Sequence, residues 1–138
     1  MKEIIAPLEG IDAVVVYLKE LLPEHAIIFL QGDLASGKTT LTQAIARSCG
    51  IDSAVTSPTF ALQQCYGEGL YHYDLYRIEH SEFMELGLFE EFEKKGWHLI
   101  EWASEELRAF LDGAGYECYR VKIDPLGDQR KYTITKGE

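Results

Sequence analysis

The chain has 138 residues, 46% of them hydrophobic, enough for one compact domain with its own core and too few for a second. Lys and Arg number 13 against 23 Asp and Glu, a net charge of -10 that argues against direct docking on a nucleic-acid backbone and favours a basic protein partner. The N-terminal "MKEIIAPLEG" has no basic-then-apolar leader pattern, and "AVVVYL" and "AIIFL" are too short to span a bilayer, so a cytoplasmic location is expected.

In chain order, Ile11, Val14, Val15, Leu18 and Leu22 recur at helical spacing, and Pro23 stops the run; a helix over 8–22 follows. The β-branched run "AIIFLQ" reads as a buried strand, and Leu41, Ala44 and Ile45 predict a helix over 38–49 with Gly50 as its cap. "FALQQCY" and "LYHYDLY" alternate around "GEG" as a hairpin would. Helices are then expected in "SEFMEL" and "LFEEFEKK", a strand in "WHLIEW", a helix over 104–111, and strands in "YECYRVKI" and "KYTIT". The fold class predicted is α/β, a mixed parallel and antiparallel sheet flanked by helices. Cys49, Cys65 and Cys118 are odd in number and widely spaced, so buried thiols are expected rather than disulfides or zinc ligands.

Gly32-Asp33-Leu34-Ala35-Ser36-Gly37-Lys38-Thr39 matches G-x-x-x-x-G-K-[ST] in full, between a predicted buried strand and a predicted helix. In that setting backbone N–H groups and the helix N-terminus form an anion cradle for ATP. Lys38 should reach the β- and γ-phosphates and Thr39 should place its hydroxyl on Mg2+; Thr40 is open between an α-phosphate contact and a plain helical position. A carboxylate at a neighbouring strand end usually holds the metal, and Asp74 in "YHYDLYR" and Glu101 in "HLIEW" both qualify. For His72 a structural hydrogen bond is expected, while Arg77 is open between phosphate and surface. "VTSPTF", residues 55–60, could order against a γ-phosphate as a switch.

Four motifs in this order, "GDLASGKTT", "SPTF", "HYDLYR" and "IEW", resemble the bacterial tRNA threonylcarbamoyladenosine biosynthesis protein TsaE family. The resemblance runs from about Leu8 to Glu105 and implies a single P-loop ATPase domain that assists a complex with the proteins TsaD and TsaB. That complex forms N6-threonylcarbamoyladenosine at position 37 of tRNAs reading codons that begin with A; tRNA would be met only through it. The resemblance assigns metal coordination to Thr39 and Glu101, an acidic role at metal or water to Asp74, and switch roles to Ser57 and Thr59. Trp102 belongs to the motif with no role beyond packing.

Two departures stand out: Ile11 and Asp12 replace a threonine that faces nucleotide in the family, and Ala35 and Ser36 fill the middle of a loop that usually reads G-D-L-G-A-G-K-T. Ala35 should therefore keep a negative φ. Rival readings are a small-molecule or nucleotide kinase, a GTPase switch and a nucleotide-binding scaffold. Only five arginines are scattered along the chain, which argues against an arginine-rich kinase lid, and no N-K-x-D guanine motif is present. Lys38 and Glu101, at loop and strand ends, are expected to face solvent.

Overall fold

The computed structural model describes residues 2–32, 37–50, 63–65, 69–76 and 78–136. A seven-stranded sheet organises them, in the order β1-β7-β6-β2-β5-β4-β3. The strands are β1 (Lys2–Pro7), β2 (Ala26–Gln31), β3 (Gln63–Cys65), β4 (Leu70–Asp74), β5 (Trp97–Glu101), β6 (Cys118–Leu126) and β7 (Gln129–Lys136). The helices are α1 (Ile11–Leu21), α2 (Lys38–Ser48), α3 (His80–Glu85) and α4 (Glu105–Gly113). The centre of the sheet is parallel, β4, β5, β2 and β6 running together, while β3, β7 and β1 add antiparallel pairings at the margins. This is the mixed architecture expected.

β2 is buried from Ala26 to Leu30 because it has covered neighbours on both faces. On one face Ile28, Leu30, Leu99 and Val121 pack against Val14, Val15 and Leu18 of α1 and Leu41 and Ile45 of α2. On the other, Ile27, Phe29, Tyr73 and Ile100 pack against Phe83, Phe92, Leu107 and Leu111. Parity along each strand therefore assigns its residues: Leu99 and Glu101 share the α2 face, Ile100 the α4 face.

Several local expectations need correction. The strand β1 was not anticipated; only Ala6 is buried in it, and its register partners lie in β7, with Lys2 opposite Ile134, so no local period announces it. The first helix begins at Ile11, after a 3-10 turn over Leu8–Gly10, and "LFEEFE" forms a 3-10 helix over Leu88–Glu93 rather than an α-helix. Cys118 is buried, and burial pushes its thiol up to about 11, but Cys49 is exposed at the end of α2, contrary to the buried thiol expected there. The antiparallel pairing of β3 with β4 is as anticipated, with the turn at 66–68 outside the described residues, as are α2 and α4; Ser104 caps α4 by accepting from Leu107 N at 3.1 Å.

The starts of β4 and β5 meet so closely that glycine is required. A Cβ on Gly96, whose φ is 130°, would lie 2.4 Å from the carbonyl oxygen of Gly69.

Beneath the α4 face lies a buried histidine. His98 Nδ1 accepts from the Tyr73 hydroxyl at 2.7 Å, and Nε2 donates to the Lys94 carbonyl at 2.7 Å. Its ring stacks on Tyr71 with centroids 4.6 Å apart. Both nitrogens are satisfied in the neutral form, and desolvation, partly offset by the Lys94 carbonyl, lowers the pKa to about 4. The unfolded chain takes up this proton near pH 6.5, the folded chain only near 4, so the unfolded state binds more protons between them. Stability is full above pH 6.5 and falls as the pH drops towards 4, by about 3 kcal/mol. Urea unfolding at neutral pH and near pH 4.5 measures this, and His98→Phe is expected to flatten the dependence; an equal loss in the variant would assign it to other groups.

Candidate functional site

The site is built at the carboxyl ends of the central strands. Register places Leu30 opposite Glu101 and Asp74 opposite Glu101, so the ends of β2, β5 and β4 come level. β2 ends at Gln31 and the chain turns through Gly32, φ 149°, before Gly37, φ 107°, precedes the first turn of α2. Both glycines hold dihedrals that a side chain would oppose, as an anion cradle at a helix N-terminus requires. Asp33, Leu34, Ala35 and Ser36 lie outside the described residues, and with them the φ expected at Ala35. The same holds for Ser57, Thr59, the rest of 55–60, and Arg77.

Lys38 is the first residue of α2, and its ammonium folds back over the loop. Nζ donates to the Gly32 carbonyl at 2.9 Å, stands 3.9 Å from Glu101 Oε1, and lies 3.8 Å from the centroid of the Trp102 ring. Both charged residues are buried, Lys38 at 3% exposure and Glu101 at 4%, which corrects the expectation that they face solvent. Trp102 turns back on the strand end with a φ of 62° and lays its ring over the ammonium; Tyr76 packs edge-on to that ring at 4.9 Å. A non-glycine residue in that region carries strain of about 1–2 kcal/mol, here offset in part by the cation–π contact. Trp102 thus does more than pack: it closes one side of the site.

Glu101 is also held from behind. His72 is fully buried, and its Nε2 is 2.5 Å from Glu101 Oε2, the structural hydrogen bond expected of that histidine. Asp74, half-buried, accepts from Tyr76 N at 3.1 Å through Oδ1 and so fixes the turn after β4. Thr39 and Thr40 are half-buried in the first turn of α2. Among the described residues no group of three or more His, Cys, Asp or Glu forms a preformed metal cage. A hydroxyl from Thr39 and the carboxylates of Glu101 and Asp74 are oxygen donors of the kind that Mg2+ takes alongside phosphate oxygens and water.

Two arginines complete the surroundings, and neither was singled out from the sequence. Arg130, at the start of β7, lies against the phosphate loop, its Nε 3.0 Å from where a Cβ on Gly37 would stand. It arrives there because β6 runs parallel to β2, so the β6–β7 turn sits at the phosphate end; a motif search has no means to show that pairing. Arg108 of α4 lines a cleft of about 200 Å3 together with Gln31, Gly32, Lys38 and Trp102. A larger hollow of about 950 Å3 opens at the other end of the strands, beside Leu22, Leu70 and Trp97, and is lined by none of Gly32, Gly37, Lys38 and Thr39.

Known proteins match this chain over most of its length. The family model for threonylcarbamoyl adenosine biosynthesis protein TsaE matches residues 6–132. The tRNA threonylcarbamoyladenosine biosynthesis protein TsaE of Bacillus subtilis is 46% identical over 114 residues, 75% of this chain and 72% of its own. That of Haemophilus influenzae is 40% identical over 122 residues, 85% of this chain and 75% of its own. The crystal structure of Bacillus subtilis YdiB superposes with a TM-score of 0.68 at 29% identity, covering 99% of this chain and 87% of that one.

Proposed function

The chain belongs to the TsaE family of threonylcarbamoyl adenosine biosynthesis proteins, and from that premise we propose that it binds and hydrolyses ATP with Mg2+ as an accessory ATPase of tRNA modification. The observation that carries this reading is the buried pairing of Lys38 and Glu101 beside the glycine turn at the N-terminus of α2. A lone nucleotide-binding turn has no need of a carboxylate held in place behind its lysine.

In this reading one domain spans 1–138 and acts in the cytoplasm. The backbone of Gly32, Asp33, Leu34, Ala35, Ser36 and Gly37 cradles the phosphates, and Lys38 neutralises charge at the β–γ bridge. Thr39 and Glu101, with Asp74, would hold Mg2+, which would offset negative charge on the phosphates of the nucleotide. Thr40 would contact the α-phosphate, and the hydroxyl of Thr59 in "SPTF" would act at the metal or at the attacking water. Arg130 adds a cation at the loop.

The partners are the TsaD and TsaB proteins, with tRNA reached only through them. The exposed Glu79, Glu82, Glu85, Glu90, Glu105 and Glu106 on the α3–α4 side give an acidic flank suited to a basic protein surface and poorly suited to RNA.

Phosphate release tests the reaction class. The isolated protein is expected to hydrolyse ATP slowly and to speed up when TsaD and TsaB are added, with label appearing as inorganic phosphate. Label on a nucleoside or sugar would assign a kinase instead, and preference for GTP over ATP would assign a GTPase switch.

A further inference from the structure

β4 and β5 are parallel neighbours, with His72 opposite Leu99 and Glu101 two residues further along β5. Strand alternation turns His72, Leu99 and Glu101 towards the α2 face, so the imidazole looks along the sheet at the carboxylate. Among the buried polar residues, Glu101 is the one acid described. Its oxygens divide: Oε2 accepts from His72 Nε2–H at 2.5 Å, and Oε1 looks at Lys38 Nζ, 3.9 Å away.

A glutamate's terminal torsion is broad, so a carboxylate at a strand end does not by itself choose which oxygen it presents. A charge-assisted hydrogen bond, roughly twice as strong as a neutral one, makes that choice. The protein's other buried strand histidine shows the contrast. His98 is satisfied by a tyrosine hydroxyl and a backbone carbonyl within an aromatic cluster, whereas His72 is directed to the carboxylate beside the phosphate lysine.

We propose that His72 is the positioning residue of the metal-side carboxylate: it pins Glu101 Oε2 and leaves Oε1 as the oxygen presented to a magnesium–nucleotide. This rests on the reading of the site given above and assigns that site a residue acting through Glu101 rather than on the substrate. The cost of losing such an outer partner is typically about 10–100-fold in metal affinity.

Calorimetric titration of ADP, once in EDTA and across a series of Mg2+ concentrations, separates the two levels. Wild type is expected to bind ADP without metal and more tightly with it. His72→Phe should leave metal-free binding unchanged while the Mg2+ concentration for half-maximal tightening rises about 10–100-fold. His72→Gln, whose amide nitrogen takes the place of Nε2, should recover most of the loss. If His72→Phe does not fold, His72→Asn, whose amide stops short of Oε2, takes its place in the comparison. Wild-type metal dependence in the Phe or Asn variant would overturn the proposal, as would equal loss in the Gln variant or loss of metal-free binding. A wild type that binds ADP without any Mg2+ linkage would instead overturn the magnesium reading of the whole site.

Discussion

Lys38→Met is expected to lower ATP hydrolysis by the partner-stimulated protein about 100- to 1,000-fold, the loss typical of removing one preorganised charge donor. Methionine keeps the apolar stem that packs at the start of α2 and removes the ammonium that joins Gly32, Glu101 and the Trp102 ring. The fold should survive, because His72 continues to hold Glu101, but not without cost. A carboxylate at 4% exposure loses its nearby cation, and a destabilisation of about 1–2 kcal/mol follows. Phosphate release and urea unfolding on the same preparation measure both effects. Hydrolysis within a few-fold of wild type would remove Lys38 from the chemistry.

Glu101→Ala should have the larger effect on stability. It leaves the Lys38 ammonium and the His72 Nε2–H facing a cavity where their acceptor stood. Breaking a buried pair by deleting one member costs about 3–5 kcal/mol; the loose 3.9 Å ammonium contact places this case near the lower figure. Metal-dependent hydrolysis should be lost. Glu101→Gln keeps the volume and a carbonyl for His72, so it should be markedly more stable than the alanine variant and equally inactive. An alanine variant as stable as wild type would mean that the carboxylate is solvated, and with it the account of a held Glu101 would fall.

The helical period through Val14, Val15 and Leu18 and the unbroken apolar run of β2 report burial directly, so α1 and β2 were legible. The phosphate turn was legible because backbone chemistry demands glycine at Gly32 and Gly37. Asp74 and Glu101 could be proposed separately as strand ends, but that they come level depends on the parallel pairing of β4 with β5. The same non-local cause hid β1, whose partner lies at the far end of the chain, and Arg130, which reaches the loop through β6. The burial of Lys38 and Glu101 has no such local signal: strand ends usually meet solvent, Glu101 is covered as part of a strand buried throughout, and nothing local announces that Trp102 adopts a left-handed backbone and lays its ring over the Lys38 ammonium.

In the proposed function, nucleotide turnover at Lys38 and Glu101 serves formation of threonylcarbamoyladenosine in tRNA. Repeated product formation in a mixture of TsaD, TsaB, tRNA, a threonylcarbamoyl donor and ATP, with wild type or Lys38→Met as the added component, tests it most directly. Product is expected to accumulate over many turnovers with wild type and to stall with the variant. Equal accumulation with Lys38→Met, or without either protein, would contradict it.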